Sequence, residues 1–539
     1  MGVWNFYFIA KLFLYGGGYI GFHVWLNLVF FILLAIPVSE SIAYAKYLRI
    51  FRQLVAIPAG FALFYYDTWL PPFTRIFTQA SEIEGFSLFY MTELLGRFVN
   101  PLVVAGLALS FVIYYFAKKK LRIASFVFIA ILAPLIFIGQ PKKFSLIAAA
   151  PVATVAATDA TVATAVVAAG NTPVSIALPP PSDANLIAHL NAFYRKEAKR
   201  AVSYTAPAGS DEPFDVIFLQ ICSLAWDDLD FTQQKENPLF NKFDIVFTNF
   251  SSGASYSGPA AIRFLRGSCG QSKHKTLYDP APAQCLTMDD LQQAGFEPQL
   301  AMNHDGHYGG FLEDVREGGG LKATPFAAKG LPAYLQSFDG TAVHDDYAVL
   351  TKWWEQRTHS SAARVALFYN TISLHDGNYY SGHRTNSMEI YPARLKQLLG
   401  DVDRFFSELQ ASGRRAVVVF VPEHGASVRG DKMQIAGMRE IPSPRISLVP
   451  VGIKLIGMTD KHAKPLIVSA PSSYLAISQL VSDFITVTPF GKNALKMEDY
   501  VRNLPTTEFV AENSDVVVMR YGNKYFIRSE DAWLEYDPE

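Results

Sequence analysis

Only three cysteines occur in 539 residues, Cys222, Cys269 and Cys285, which excludes a small disulfide-stapled scaffold. Neither sign of charge prevails: 47 Lys and Arg face 48 Asp and Glu, so nothing marks a nucleic-acid binder and no nucleic-acid partner is expected. Charge is sparse altogether, at 18% against 50% apolar residues, a mixture that excludes disorder as the overall state. No internal repeat is visible, so a repeat architecture is not expected. The length allows roughly three or four units of about 150 residues.

What is present is unevenly placed. Residues 1–143 hold 12 basic and 5 acidic side chains, a balance of +7 that leaves −8 for the remainder. A basic, apolar first quarter before an acidic remainder fits a membrane anchor followed by a water-facing domain. Apolar runs near 4–20, 23–38, 53–70, 101–117 and 122–138 predict about five spanning helices. Each is slightly short of the ~20 residues that a ~30 Å hydrocarbon core requires. Trp4, Tyr19, Trp25, Trp69, Tyr114 and Tyr115 at their flanks suit the headgroup level. Lys11 interrupts the first run and needs a protein partner or a path to the interface. The N-terminus lacks the basic segment of a cleaved signal peptide, and a second apolar run follows at once.

Loop charge sets the orientation. Lys46, Arg49 and Arg52, and then Lys118, Lys119, Lys120 and Arg122, place their two loops in the cytoplasm. The 71–100 loop has no basic excess and belongs outside; Lys142 and Lys143 argue the other way but are outnumbered. Five crossings deliver the chain outside near residue 140. The segment 144–185 is rich in Ala, Thr and Val, charged only at Asp159 and Asp183, and ends in Pro179, Pro180 and Pro181. It reads as a flexible linker, with a sixth span over 146–169 as the alternative. The organisation expected is therefore a helical membrane domain over 1–143, a linker over 144–185 and a soluble domain over 186–539.

In the soluble part, β-rich runs at 215–221, 365–371, 416–421 and 449–456 alternate with helical periods such as 259–266 and 392–411. Such a pattern predicts an α/β domain with a mostly parallel central sheet and helices on both faces. Sites in these folds lie at the carboxyl ends of strands, which picks out Cys222, the stretch from Asn370 to Asp376, and Glu423-His424. A thiolate, a carboxylate and an imidazole together suit Zn²⁺ better than Mg²⁺ or Ca²⁺. The small-residue turn ASYSGPAAIRFLRG at 254–267 opens a helix, with Ser257 near the N-cap and Pro259 in the first turn. Backbone N–H groups there favour an anion such as phosphate, and a serine beside a metal is a candidate nucleophile. His375 is a candidate for protonating a leaving oxygen. His304, near glycines in NHDGHYGG, is a candidate for lining the cleft.

Taken singly, each residue has a plainer reading. Cys222 alone reads as an inert buried thiol, and Ser257 alone as a helix cap. Trp226, Trp353 and Trp354 alone read as core rather than sugar-stacking surfaces. The functional reading gains because the separate signals fall at strand ends of one sheet. Cys269 and Cys285, 16 apart around a polar stretch, are candidates for a disulfide worth roughly 3 kcal/mol in an oxidising compartment; pairing of Cys222 with either stays open.

Longer stretches carry a likeness. ICSLAWDDL, NFSSGASYSGPAAIRFLRGSCGQ, FYNTISLHDGNYY and VPEHGASVRGDKMQIAGMREIPSPRI, together with WNFYFIAKL and GFALFYYDTWLP in the membrane part, resemble the cellulose phosphoethanolamine transferases of bacterial cellulose-secretion systems. These are a branch of the alkaline-phosphatase-like phosphoethanolamine transferases, and the likeness covers nearly the whole chain. It implies an alkaline-phosphatase-like catalytic domain in the periplasm, anchored in the bacterial inner membrane. It implies one Zn²⁺ held by Cys222, Glu423 and His424 beside the Oγ of a nucleophilic Ser257, itself counted in the metal set. Arg439 and His375 match positions for phosphate contact and proton transfer, and Tyr256, Arg439 and His304 are the substrate-binding candidates. Relatives that modify lipid A usually have a carboxylate in place of Cys222 and a threonine in place of Ser257, so the thiol argues for the cellulose branch.

The reaction implied has two steps. Ser257 takes phosphoethanolamine from phosphatidylethanolamine, and a glucose 6-hydroxyl of nascent cellulose then accepts it. Contact with subunits of the cellulose synthase secretion complex is expected. The alternatives are a phosphoethanolamine or phosphoglycerol transferase with another envelope acceptor such as lipid A, a sulfatase, and a non-catalytic scaffold. Ser257-Gly258-Pro259-Ala260-Ala261 does not fit the C/S-x-P-x-R motif of sulfatases, and a scaffold has no need of the four site residues.

Overall fold

The computed structural model describes residues 2–17, 20–38, 44–68, 86–98, 101–136, 178–205, 213–383, 385–458, 464–529 and 532–537. Most of the expected linker and the whole alternative span at 146–169 lie outside them, as do Lys142 and Lys143. The chain forms two compact units, Met1–Gln79 with Leu94–Val162, and Ala80–Glu93 with Ala163–Glu539.

The first unit is helical: α1 (Val3–Gly16), α2 (Val24–Ala35), α3 (Ala45–Tyr66), the later part of α4 (Leu88–Phe98), α5 (Pro101–Ala117) and α6 (Ile123–Ile136). Every apolar run expected to span contains a helix, but five spans are not seen. Among the described residues one helix, α3, is long and apolar enough to cross alone, or two if the bent pair α4 and α5 counts as one span. The helices stop sooner than the apolar runs do. Successive glycines end α1 at Gly16, and the residue before Pro37 is barred from helical backbone, ending α2 at Ala35. Conversely α3 starts well before its apolar run and carries Lys46, Arg49 and Arg52 on its own first turns. Lys11 has its partners: it is buried, donates to Asn27 Oδ1 at 2.8 Å, and pairs with Asp67, which also receives His23.

The second unit is built on a seven-stranded sheet. Its strands are β1 (Asp215–Cys222), β2 (Ile245–Ser251), β3 (Glu297–Met302), β6 (Val365–Thr371), β8 (Ala416–His424), β9 (Leu448–Ile456) and β10 (Leu466–Val468), in the order β10-β2-β9-β8-β1-β6-β3. Between them, β4 (Ala333–Gln336), β5 (Ala342–His344) and β7 (Tyr379–Tyr380) make a small sheet of three. Strand β1 is buried along its whole length and runs parallel to both β6 and β8. Val216 and Phe218 point to one face, where helices α9 (Ser257–Leu265) and α12 (Tyr474–Thr486) pack. Ile217, Leu219 and Ile221 point to the other, covered by α10 (Asp346–His359) and α11 (Ser387–Ala411). A period of two with both faces apolar gives just such a continuous hydrophobic run.

The sheet is mixed rather than parallel throughout, because β9 lies antiparallel to both β8 and β2. The connection from β8 to β9 holds one helix of four residues, Pro444–Ser447, which ends directly at β9. The chain folds across the carboxyl end of the sheet and re-enters beside β8 running the opposite way. A helix α7 (Asp183–Glu197), capped by Ser182, packs on the separate antiparallel sheet β11 (Val510–Glu512), β12 (Val516–Tyr521), β13 (Lys524–Ser529) and β14 (Ala532–Tyr536). This helix begins three residues before the expected boundary at 186.

Candidate active site

Three chain segments meet at the carboxyl end of the sheet. Strand β1 ends in Cys222 and β8 in Glu423-His424, paired side by side. All three side chains are fully buried, and their donor atoms lie within 4.8 Å of one another. The third segment is α9. Its N-cap is Tyr256, not Ser257, and no side chain caps it. The Ser257 hydroxyl is therefore not committed to the cap. Its Oγ lies 3.2 Å from Cys222 Sγ and 3.4 Å from His424 Nε2.

The loops that follow Cys222 and His424 are tied together by Asp228, a buried residue of the short helix α8 (Trp226–Phe231). Its carboxylate accepts from Ala225 N at 2.9 Å in the loop after β1, and from Ala426 N at 2.8 Å and Val428 N at 3.2 Å in the loop after β8. The loops approach so closely that a Cβ on Gly425 would stand 2.6 Å from Ala225 Cβ. Glu423 is oriented from behind. Asn370 Nδ2 donates to Glu423 Oε1 at 2.5 Å, and Asn370 Oδ1 pairs with His304 Nε2 at 2.8 Å. Since His304 Nδ1 accepts from Gly306 N, its proton sits on Nε2 and points at Asn370. The structure thus places His304 behind Glu423.

Two of the candidate histidines, His424 and His375, carry their proton on Nδ1. His424 Nδ1 donates to the Gly425 carbonyl at 3.0 Å, and His375 Nδ1 to the Asp376 carbonyl at 2.6 Å. Each is left with a bare Nε2, the usual preparation of a metal ligand or a base. Arg439 sits with its guanidinium 5.6 Å from the Tyr256 ring centre, and its charge acts on Cys222, Glu423, His375 and His424. Tyr256 donates its hydroxyl to Glu440 at 2.5 Å.

Burial governs the protonation states. It pushes the Cys222 thiol up to about 12, helped by the Glu423 charge, and raises Glu423 as well. It holds His424 well below the ordinary imidazole range, with Arg439 adding to the effect, and brings His375 down to about 4 for the same two reasons. A cluster so unfavourable to its own charges fits a cation. The second oxygen of Glu423, Oε2, is buried with no hydrogen-bond partner among the described residues and lies 3.7 Å from His424 Nε2. Thiol, imidazole and an unpartnered carboxylate oxygen together make a donor set suited to zinc.

Elsewhere, Cys269 and Cys285 are joined by a disulfide and Cys222 is the free thiol. Trp353 and Trp354 are buried in the core, and Trp226 packs on Phe240. Sequence reasoning missed Asp228, whose position three residues into a helix after a buried strand was the available signal. It also missed Tyr90 and Glu93, which precede the expected soluble part yet bond to Asp376 and Ser387 within the second compact unit.

Comparison with known proteins covers nearly the whole chain. The family model described as the cellulose biosynthesis protein BcsG C-terminal domain matches residues 171–533, and that of the BcsG N-terminal domain matches 4–136. The cellulose biosynthesis proteins BcsG of Salmonella typhimurium and Escherichia coli K12 are each 41% identical, over 99% of this chain and 96% of theirs. Among solved structures, the integral membrane lipooligosaccharide phosphoethanolamine transferase A of Neisseria meningitidis overlaps at a TM-score of 0.42 and 14% identity, over 93% of this chain and 98% of that one. That overlap is too loose to bear on chemistry.

Proposed function

The chain belongs to the family of the cellulose biosynthesis protein BcsG, and on that premise we propose that it is a phosphotransferase moving phosphoethanolamine from phosphatidylethanolamine to glucose 6-hydroxyls of nascent cellulose. The observation that carries the reading is the approach of Ser257 Oγ to Cys222 and His424 at the start of α9. A lone helix-capping serine has no reason to stand there. Cys222, Glu423 and His424 would hold one zinc ion, which supplies positive charge that favours the ionised Ser257 and offsets charge on the nonbridging phosphate oxygens.

The residues divide the remaining work. Ser257 Oγ bonds to phosphorus as the bond from phosphorus to the diacylglycerol oxygen breaks. The glucose 6-oxygen then bonds to phosphorus and releases Ser257. Arg439 and the N–H groups opening α9 hold the phosphate oxygens. His375 presents its bare Nε2 to take the proton of the incoming hydroxyl, and by reversibility gives one to the leaving oxygen. Bound phosphate would offset the Arg439 charge and so let His375 hold that proton more readily. Helices α1–α6 would anchor the chain beside its lipid donor in the inner membrane, with the catalytic unit in the periplasm near the cellulose synthase secretion complex.

The test is the glucan itself. Solid-state NMR and mass spectrometry of cellulose from cells with the wild-type chain should find phosphoethanolamine on O6. Cells lacking the chain or carrying Ser257→Ala should have none. Equal modification in all three overturns the reading, and modification of lipid A alone moves it to the other acceptor.

A further inference from the structure

Among the described residues, the ring of His375 rests on two supports. One is the Asp376 carbonyl, which accepts its Nδ1 proton at 2.6 Å. The other is the ring of Phe338, 4.9 Å away and tilted by 33°. Arg394 fixes the backbone of this loop from within the domain, donating to the carbonyls of Ser373 and His375, but it does not orient the imidazole.

Both supports are held by residues 86–93, which the chain reaches between α3 and α5 yet which belong to the catalytic unit. On the Asp376 side, Tyr90 donates its hydroxyl to Oδ2 at 3.0 Å. The Ser387 hydroxyl, 2.5 Å from Asp376 Oδ1 and 3.0 Å from Glu93 Oε1, shares its one proton between the two carboxylates, and Ser387 N donates to Glu93 Oε1 at 3.1 Å. On the Phe338 side, Phe86 and Tyr90 each place a ring 5.6 Å from it, and Ser87 N donates to its carbonyl at 3.0 Å. Gly377 completes the fit, for its φ is +79° and a Cβ there would stand 2.6 Å from Phe338 and 2.7 Å from Tyr90.

We propose that Tyr90 and Glu93 are positioning residues for His375, so that the proton-transfer geometry of the catalytic unit is completed by a segment far upstream of it in sequence. The proposal rests on the reaction proposed above, with His375 protonating the leaving oxygen. In the first step Ser257 Oγ gives up its proton to solvent and bonds to phosphorus, the ester oxygen departs with the bonding electrons, and a proton that His375 Nε2 has taken up from solvent, once bound phosphate offsets the Arg439 charge, neutralises it. A nitrophenolate leaves without that proton; a diacylglycerol alkoxide needs it.

Leaving-group dependence therefore separates positioning from plain structure. With the full chain in detergent, two single-turnover rates are measured for wild type, Tyr90→Phe and Glu93→Gln: nitrophenolate release from p-nitrophenyl phosphoethanolamine, and diacylglycerol release from phosphatidylethanolamine. Tyr90→Phe keeps the ring between Phe86 and Phe338 and removes the bond to Asp376. The expected result is nitrophenolate release within twofold of wild type and diacylglycerol release at least tenfold slower in both variants. Equal losses on the two substrates would mean a merely structural role and overturn the proposal, as would wild-type rates on both. If wild type itself releases neither group, the proposed function fails instead.

Discussion

Ser257 Oγ and Cys222 Sγ stand 3.2 Å apart across 35 residues of sequence, the hydroxyl on the first turn of α9 and the thiol on the last residue of β1. Neither has an isolated reason to be there. The cap of α9 falls to Tyr256, and a buried thiol packs equally well away from a hydroxyl. Their meeting at the sheet edge, with Glu423 and His424 arriving from β8, makes a chemical centre out of separately unremarkable residues.

The metal set carries a proton signature. Burial pushes the Cys222 thiol up to about 12, so zinc must displace that proton, and apparent affinity should rise with pH by up to about tenfold per unit for each proton displaced. Chelator competition at two pH values measures this. Wild type is expected to hold about one zinc per chain, and Cys222→Ala to lose both the ion and its share of the slope. Full zinc in that variant would remove Cys222 from the set.

Asp228 should matter more than its distance from the reacting atoms suggests. Asp228→Ala leaves three buried backbone N–H groups without their acceptor, a loss of about 3 kcal/mol, and loosens the two ligand loops. Asp228→Asn keeps one accepting oxygen and should lose less. Urea unfolding of fragment 178–539, with zinc titration beside it, reads both effects. Stability lost at unchanged zinc affinity would show that the clamp does not set the ligand geometry.

Acid should weaken the metal-free fold through its buried histidines. His375 is lowered to about 4 from the ordinary 6.5, so between those values the unfolded chain binds the proton and the folded one does not. This stability is present above pH 6.5 and is lost as pH falls toward 4, by at most about 1.4 kcal/mol per pH unit. His304 and His424 are lowered too and act in the same direction. Urea unfolding across pH 4–7 should show the slope, and His375→Gln should flatten it. An unchanged slope in that variant would mean that His375 is not held neutral.

The disulfide adds a test of compartment. Replacing Cys269 and Cys285 by serine together should lower the stability of the catalytic unit by roughly 3 kcal/mol, and thiol labelling of native chain without reductant should miss both. Labelling of either would show them reduced.

Much of this was legible. The strands expected at 365–371 and 449–456 match β6 and β9 almost to the residue, because a run buried on both faces leaves a continuous apolar signature. The gathering of Cys222, Glu423 and His424 followed from strand ends. Pairing direction did not, since nothing in the periodicity of 449–456 says which way β9 runs. Strand β2 was missed because Thr248 and Asn249 interrupt its apolar run. Spans were over-read because apolar length exceeds helical length where Gly17 or Pro37 intervenes. The Tyr90 hydroxyl reaches Asp376 across 286 residues, a contact that no local pattern encodes.

The central claim is a phosphoethanolamine group carried on Ser257. Its most direct test is to incubate the full, zinc-loaded chain with phosphatidylethanolamine in the absence of glucan, stop the reaction in acid, and map the modified peptide by mass spectrometry. The account predicts one phosphoethanolamine on the peptide containing Ser257, absent in Ser257→Ala and discharged when a β-1,4-glucan is added. An adduct mapped to any other residue, or one on Ser257 that glucan does not discharge, would contradict it.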